Sequence, residues 1–223
     1  MNEALDPHVH GQLERLALRP KRPLVVCDAD EVLFAFIEGF EQFLHRYEHY
    51  FIWRAYQLAG NIRKRGTAFP VDEQEVQTLL ARYWDETVEA MPLIPGAAAA
   101  LDTLARRADI VILTNVPLEH HEGRTRSLGR HRMPYPTVAN IGPKGPALRW
   151  LHERTHAPVF FIDDSPRHHR SVAQAAEAVI RLHFVGDRRL AGLLATAEDS
   201  HYRTDTWAAA RAVIEAELDR AGH

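Results

Sequence analysis

The stretch PLVVCDADEVLF, residues 23–34, is an apolar run that stops at two aspartates one residue apart, Asp28 and Asp30. In an extended chain, residues i and i+2 point to the same side, so these carboxylates can converge just past the end of a buried strand. Two ionised carboxylates so close repel each other, and the arrangement needs a cation or a shared proton. Because turns often contain aspartate, the pair needs support from the rest of the chain.

Further apolar runs alternate with helical patterns along the chain. They are DIVILTN (109–115), PTVAN (136–140), PVFFIDD (158–164) and AVIRLHF (178–184). Strands that are apolar throughout and separated by helices indicate a parallel sheet covered on both faces. The sequence therefore predicts an α/β fold with a ligand site at the carboxyl ends of the strands.

Polar residues stand where these runs end. Thr114 and Asn115 end the second run, and Asp163 and Asp164 end the fourth. With the first pair they make four acids at one predicted sheet edge, which calls for a cation, and an all-oxygen ligand set suits Mg²⁺ better than zinc. The predicted metal ligands are Asp28, Asp30, Asp163 and Asp164.

Lys144 lies at the predicted start of a helix, in NIGPKGPAL. A cation there meets the unfavourable end of the helix dipole. The lysine is easier to explain if its ammonium reaches carboxylates or a phosphate, although a surface lysine remains an alternative.

Residues 35–92 interrupt the alternation of strands and helices. A crossover between parallel strands needs only about a dozen residues, so the segment reads as an insertion. Apolar residues recur at helical spacing in two parts of it, joined by the loop GNIRKRGTAFPVD (60–72). The two sets are Phe36, Phe40, Phe43, Tyr47, Tyr50 and Val76, Leu79, Tyr83, Met91. We expect two amphipathic helices that form a lid over the sheet edge, with the aromatic residues as the core of this unit.

Composition limits the remaining possibilities. The chain of 223 residues is 46% apolar and carries a formal net charge of -3, which does not point to nucleic acid or to a membrane surface as partner. Its one cysteine, Cys27, lies in the apolar run and is expected to be a buried, reduced thiol. The first 22 residues contain no long apolar segment, so we expect no secretory signal and a cytoplasmic protein. The oligomeric state is not indicated.

The order of these segments along the chain and the polar residues that they carry resemble the haloacid dehalogenase-like (HAD) hydrolases, and the resemblance extends over nearly the whole chain. CDADEVLF resembles the first motif of that family, VILTN the second, GPKGPAL the third and FFIDDSP the fourth. The resemblance implies a three-layer Rossmann-like core with strand order 5-4-1-2-3, formed by residues 1–34 and 93–223. It also implies that residues 35–92 are a C1-type helical cap.

The resemblance implies a role for each site residue as well. Asp28 would be the nucleophile that forms an aspartyl-phosphate, and Asp30 would protonate the leaving oxygen and ligate Mg²⁺ through its backbone carbonyl. Thr114 and Lys144 would contact the phosphoryl group, with Asn115 beside them. Asp163 would ligate the metal directly, and Asp164 would bind a metal-bound water or Lys144.

The acid at position 30 favours phosphatase or phosphotransferase chemistry over cleavage of a carbon–halogen bond, because dehalogenases of the family lack it. The usual phosphatase form reads DxDGT, whereas this chain has Glu31 and Val32 in the last two places. The predicted function is a Mg²⁺-dependent phosphatase acting on a small phosphorylated metabolite. A phosphotransferase and a non-catalytic binding protein are the alternatives.

Two clusters of basic residues are candidates for an anionic substrate, or else form solvated faces. They are Arg63, Lys64, Arg65 on the predicted cap loop and Arg124, Arg126, Arg130, Arg132 after the second motif.

Two other classes of protein share parts of the pattern. A phosphate-accepting receiver domain also clusters acids, a Thr and a Lys, but it places its acid pair first and is usually shorter. HRYEH (45–49) matches the H-x-x-E-H pattern of a zinc peptidase, which would set His45 and His49 on one helix face.

Overall fold

A computed structural model of the protein describes residues 4–55 and 57–223, so the first three residues of the predicted core and Tyr56 of the predicted cap lie outside it. The strands are β1 (Leu24–Cys27), β2 (His49–Phe51), β3 (Ile62–Lys64), β4 (Asp109–Thr114), β5 (Thr137–Ala139), β6 (Val159–Asp163), β7 (Ile180–Phe184) and β8 (Tyr202–Thr204). The helices are α1 (Pro7–Leu13), α2 (Phe36–Arg46), α3 (Glu73–Thr87), α4 (Ala97–Leu104), α5 (His121–Arg130), α6 (Gly145–Thr155), α7 (Pro166–Ala175), α8 (Arg188–Ala191) and α9 (Trp207–Arg220). Within the described ranges, none of them combines the length and apolar character that a membrane crossing needs.

Six strands form one parallel sheet in the order β5-β4-β1-β6-β7-β8. When only these six are numbered in chain order and the sheet is read from the β8 edge, the order is 6-5-4-1-2-3. The predicted α/β fold with strand order 5-4-1-2-3 is thus confirmed, and one strand is added at an edge. That strand, β8, was not predicted because its three residues, Tyr-Arg-Thr, give no apolar run.

Helices cover both faces of the sheet. In β1, Val25 and Cys27 join one apolar cluster, and Leu24 and Val26 join another. The first cluster includes residues of α4 and α9, and the second includes residues of α1, α6 and α7. Cys27 is a free thiol with no exposed surface and serves as a small core residue. The strands are apolar throughout because both of their faces are buried.

The insertion, residues 35–92, leaves and re-enters the core at neighbouring points. Phe34 and Leu93 pair as an antiparallel bridge, and Ala35 N donates to Pro92 O at 2.8 Å. Between these ends lie α2, the antiparallel pair of β2 and β3, and α3. The segment is therefore attached to the sheet through a narrow two-stranded neck.

The small β-hairpin of the insertion corrects the prediction of two helices joined by a loop. Helix α2 ends at Arg46, and Glu48 then takes a left-handed backbone conformation with φ of 58°, which turns the chain into β2. Tyr50 consequently lies on a strand rather than on the helix, and Met91 lies beyond the end of α3.

The aromatic residues of the insertion form a packed core, as predicted. The ring of Tyr83 lies 5.0 Å from that of Phe40 and 5.4 Å from that of Phe43, centroid to centroid. All three side chains are fully buried. Phe36 differs, because it is only partly buried and contributes to a cavity described below.

The zinc-peptidase interpretation is wrong. His45 is exposed on α2 whereas His49 is buried on β2, so the two do not share a helix face. Both ring nitrogens of His49 also have partners: Nδ1 lies 2.6 Å from Tyr47 O, and Nε2 lies 3.0 Å from Glu75 Oε1.

Close packing of α6 against α7 fixes the position of the N-terminus of α6, and therefore also that of Lys144. Gly145 N donates to Ser171 Oγ at 3.0 Å, and a Cβ at position 145 would overlap the backbone carbonyl of Ser171. We expect Gly145→Ala to lower the free energy of unfolding by about 1–3 kcal/mol, measured by urea denaturation.

Gly129, in α5, is the matched control because a Cβ there would have no atom within 4 Å. Gly129→Ala is expected to raise the free energy of unfolding by up to about 1 kcal/mol, since alanine favours helix over glycine. Equal effects of the two substitutions would contradict the packing argument.

Candidate active site

The carboxyl ends of β1 and β6 and the start of α6 meet around the ammonium group of Lys144. Lys144 Nζ lies 2.7 Å from Asp28 Oδ1 and 2.7 Å from Asp163 Oδ2. Lys144 and Asp163 have no exposed surface, and Asp28 is 7% exposed. Lys144 is the N-cap residue of α6, so the helix start directs its side chain to the sheet edge. The structure thus brings together the lysine and two of the acids that the sequence singled out.

Burial and neighbouring charges shift the pKa values of Lys144, Asp163 and Asp28 by different balances. Burial disfavours the ammonium, but Asp163 and Asp28 outweigh it and raise the pKa of Lys144. Burial also opposes ionisation of Asp163, yet the Lys144 charge prevails and lowers the pKa of that carboxyl. For Asp28 burial prevails over Lys144 and raises the pKa to about 7. Asp163 is therefore the permanent anion, whereas the charge of Asp28 depends on what binds beside it.

Asp164 completes the acidic group. Oxygen atoms of Asp28, Asp163 and Asp164 lie within 4.8 Å of one another. Burial, followed by the charge of Asp28, raises the pKa of Asp164 well above its ordinary value. Asp28 and Asp164 can both be ionised here only beside further positive charge, and the oxygens of this acidic group suit a divalent cation.

The two acids after β6 differ in their partners. Asp163 uses both oxygens, because Oδ2 accepts from Lys144 and Oδ1 accepts from Ser165 N at 2.8 Å. No basic side chain within residues 4–55 and 57–223 pairs with Asp164. Of the two roles foreseen for Asp164, the contact with Lys144 is therefore wrong, since Asp163 makes it.

Two buried histidines hold the backbone of the acid pair. His169 Nε2 donates to Asp163 O at 2.9 Å, and His183 Nε2 donates to Asp164 O at 2.9 Å. Their rings lie 5.4 Å apart, and neither has exposed surface. Neither histidine was assigned a role from the sequence: His169 follows the acid pair on a helix expected to be exposed, and the contact of His183 with Asp164 exists only once β7 lies beside β6.

Arg124 binds the second acid of the first motif. Its Nη2 donates to Asp30 Oδ1 at 2.6 Å, and its guanidinium lies over the rings of Phe34, at 4.4 Å, and Trp84, at 5.3 Å. Burial raises the pKa of Asp30, and Arg124 partly offsets this. Arg124 has no exposed surface, so the expectation of a solvated face fails at this position. No local pattern in the sequence separates it from the neighbouring arginines.

The two polar residues after β4 have different surroundings. Thr114 is fully buried, and its Oγ1 makes no hydrogen bond of ordinary geometry within the described residues, although it lies near enough to Asp30 to lower the pKa of that carboxyl. Asn115 instead ties two loops together: its amide donates to Gly142 O at 2.9 Å, and its Oδ1 accepts from Asn140 at 3.1 Å. Thr114 thus places a hydroxyl beside Asp30 at the sheet edge, and the Asn115 side chain holds the loop that leads to Lys144.

Glu31 occupies the place where the usual motif has glycine. Its φ is 57°, in the left-handed region that glycine adopts without strain. Its Oε1 accepts from Ile37 N at 2.6 Å, while its Oε2 is buried without a partner in the described part of the chain. Burial raises the pKa of Glu31 to about 8.

A cavity of about 290 Å³ lies beside the acidic group. It is lined by Asp30, Glu31, Phe36, Ile37, Trp53, Gln57, Leu58, Trp84, Asp164 and Leu190. Its walls come from the insertion and from the loops after β1, β6 and β7, so a ligand there would contact Asp30 and Asp164.

The remaining basic residues that the sequence singled out do not line this cavity. Arg126 and Arg130 both bind Glu89, at 2.7 and 2.6 Å. Arg63 is buried and donates to Gly60 O at 2.7 Å, and Arg65 pairs with Glu48 at 3.1 Å. Lys64 and Arg132 are exposed.

Solved structures of low sequence identity share this fold. A conserved HAD-like protein of unknown function from Agrobacterium tumefaciens is 15% identical, with a TM-score of 0.62 over 87% of this chain and 98% of its own. A HAD family hydrolase from Deinococcus radiodurans, solved with bound phosphate and sodium, is 15% identical, with a TM-score of 0.59 over 89% and 97%. A HAD-like family hydrolase from Streptococcus pneumoniae is 10% identical, with a TM-score of 0.56 over 86% and 97%.

No protein-family model matches the sequence, and neither does any curated protein. At these identities the structural likeness establishes the fold alone. The chain has the fold of HAD-like hydrolases, and the resemblance drawn from the four motifs is confirmed at that level.

The raised pKa of Glu31 has a consequence for stability. Between its ordinary value of 4.5 and its folded value of about 8, the folded state binds more protons than the unfolded state. The free energy of unfolding should therefore fall as pH rises through that window. We expect the stability of Glu31→Gln relative to the wild type to increase from about pH 5 to pH 8, by about 1 kcal/mol per pH unit, in urea titrations.

Glu38→Gln is the control, because Glu38 is exposed on α2. Its stability relative to the wild type should stay constant over the same range. A difference for Glu31→Gln that does not change with pH would show that this carboxyl titrates normally.

Proposed function

We propose that the protein is a Mg²⁺-dependent phosphatase that acts on a small phosphate monoester through an aspartyl-phosphate at Asp28. The observation that carries the proposal is the placement of Lys144 Nζ 2.7 Å from both Asp28 and Asp163, with the Asp164 carboxylate beside them. This arrangement combines a nucleophile, a fixed positive charge and a cation site at one sheet edge. The phosphate and sodium bound to the Deinococcus protein support the proposal.

The acidic group fits a hard divalent cation. Asp28 and Asp164 offer carboxylate oxygens that lack a common counterion, and the Asp30 carbonyl accepts no hydrogen bond among the described residues. These three would hold Mg²⁺. Asp163, which the sequence suggested as the direct ligand, would instead border the site, because one of its oxygens binds Lys144 and the other accepts from Ser165 N. The ion would neutralise charge on the phosphoryl group and keep Asp28 ionised.

In the first step, the free oxygen of Asp28 attacks phosphorus while its other oxygen stays bonded to Lys144. The bond from phosphorus to the leaving oxygen breaks, and the protonated Asp30 gives its proton to that oxygen. Lys144 and the Thr114 hydroxyl, both at the same sheet edge as Asp28, would contact the phosphoryl oxygens. The raised pKa of Asp30 favours the protonated form that this step needs.

In the second step, water attacks phosphorus and gives its proton to Asp30, which restores the acid and releases phosphate and the Asp28 carboxylate. Arg124 positions Asp30 throughout, because it holds one carboxylate oxygen at 2.6 Å. Its own side chain is fixed between Phe34 and Trp84.

We further propose that residues 35–92 act as a cap. The neck at Phe34 and Leu93 and the cavity walls contributed by Phe36, Trp53 and Trp84 support this role. A cap of this kind would keep water from the first step. A phosphotransferase would use the same residues and replace water by an acceptor alcohol, so the acceptor must be tested directly.

Phosphate release from a panel of phosphate monoesters, with Mg²⁺ and with chelator, tests the chemistry. We expect Mg²⁺-dependent release by the wild type and a loss of at least about a thousandfold in Asp28→Asn, because the amide cannot attack phosphorus. Circular dichroism should show that the variant is folded.

Asp102→Asn is the matched control, since Asp102 is exposed on α4 and should tolerate the change. Undiminished release by folded Asp28→Asn would remove the nucleophile. Phosphate transfer to an added alcohol in preference to water would favour the phosphotransferase.

Thermal unfolding in Mg²⁺ tests the metal ligands without any substrate. The wild type should gain stability on Mg²⁺ addition, by mass action. Asp164→Asn should lose that gain without loss of metal-free stability, since it removes a carboxylate that has no cationic partner. Asp163→Asn should instead cost about 3–5 kcal/mol without metal, because it breaks a buried ion pair. A full Mg²⁺ response in Asp164→Asn would exclude that residue as a direct ligand.

A further inference from the structure

The cavity beside the acidic group is mainly apolar. Six of its ten lining residues carry apolar side chains: Phe36, Ile37, Trp53, Leu58, Trp84 and Leu190. They come from both the insertion and α8, whereas Asp30 and Asp164 lie at the end nearest the proposed reaction. A phosphoryl group at Asp28 would therefore have its alcohol portion against hydrocarbon and indole surfaces.

No lysine, arginine or histidine is among the described residues that line the cavity. The nearest basic groups have partners of their own: Arg124 is bound by Asp30, and Arg189 is bound by Asp187 and Glu41. A second phosphate or a carboxylate on the substrate would be desolvated by the apolar walls with no cation among the described lining residues to pair with it. The site consequently disfavours bisphosphates and phosphorylated acids.

Two residues that line the cavity each have a buried polar atom without a hydrogen bond among the described residues, Glu31 Oε2 and Trp53 Nε1. Glu31 is 4% exposed, and its Oε2 is buried without a hydrogen bond within the described residues while Oε1 is held by Ile37 N. A neutral hydrogen-bonding group on a ligand could pair with it. An organic ammonium is the competing class of ligand, because Trp53 and Trp84 offer ring faces to a cation, and the first test below therefore includes one.

We propose that the substrate is a phosphate monoester of an uncharged, predominantly apolar alcohol, such as one carrying an aryl ring, with the alcohol portion bound in this cavity. The inference rests on the proposed phosphatase function and adds the chemical class of the leaving group. The specificity-determining residues are Phe36, Trp53, Leu58 and Trp84, which provide the flat and apolar walls.

The first test compares kcat/KM for four phosphate monoesters with Mg²⁺: benzyl phosphate, glycerol 3-phosphate, phosphoglycolate and phosphocholine. Burial of the phenyl ring should favour benzyl phosphate over glycerol 3-phosphate on the order of tenfold to a hundredfold. Phosphoglycolate should be the poorest of the four. A preference for phosphoglycolate or for phosphocholine over benzyl phosphate would overturn the proposal.

A positive charge placed in the cavity should shift the substrate preference from benzyl phosphate toward phosphoglycolate. Leu58→Arg provides the missing cation and is expected to raise the ratio of kcat/KM for phosphoglycolate to that for benzyl phosphate by at least about tenfold. Leu193→Arg is the matched control, because Leu193 is 46% exposed and does not line the cavity. The ratio is independent of the fraction of folded enzyme. An unchanged ratio in Leu58→Arg would show that the alcohol portion binds elsewhere.

Binding measured without turnover separates this proposal from the phosphatase assignment. Benzylphosphonate and methylphosphonate cannot be hydrolysed, and quenching of tryptophan fluorescence reports their binding beside Trp53 and Trp84. Tighter binding of benzylphosphonate by about tenfold or more, lost in Trp53→Ala and retained in Trp53→Phe, would support the cavity assignment even if no ester were hydrolysed. Equal affinity for both phosphonates would overturn it even if the enzyme proved to be a phosphatase.

Discussion

The ammonium of Lys144 is the contact on which the site depends. It is buried between Asp28 at the end of β1 and Asp163 at the end of β6, and it is carried by the N-cap residue of α6. Three elements distant in sequence are thus held together by one charge. A buried ion pair of this kind adds little net stability, because desolvation offsets the attraction. Its effect is instead to keep Asp163 ionised and to hold one oxygen of Asp28, which leaves the other oxygen free.

The site residues that could be predicted from the sequence are mainly those at the carboxyl ends of strands. Runs that are apolar throughout identified five sheet strands, and the rule that parallel strands present their carboxyl ends at one edge brought Asp28, Thr114 and Asp163 to the same place. Lys144 was recognisable because a lysine at a helix start opposes the helix dipole unless its ammonium reaches a negative group. These inferences succeed because they need only periodicity and the direction of the chain.

The residues that could not be predicted act through tertiary contacts. Arg124 is one of several arginines in a polar stretch, and only the fold shows that it alone is buried against Asp30. His169 and His183 support the acid pair from two elements whose pairing the sequence does not reveal. The hairpin of the insertion was missed because an aromatic stripe continues past the end of α2. At each of these positions tertiary contacts override or conceal the local pattern.

The neck at Phe34 and Leu93 has a consequence for how long the insertion can be. The two ends of the segment are already side by side, joined by a backbone bridge that belongs to the core. The entropy lost in closing such a loop grows only with the logarithm of its length. Lengthening or shortening the segment beyond the neck therefore changes the cost of folding by little, so long as its own apolar side chains stay covered. Chains with this sheet can differ widely in the size of the segment above it while the geometry around Lys144 stays the same.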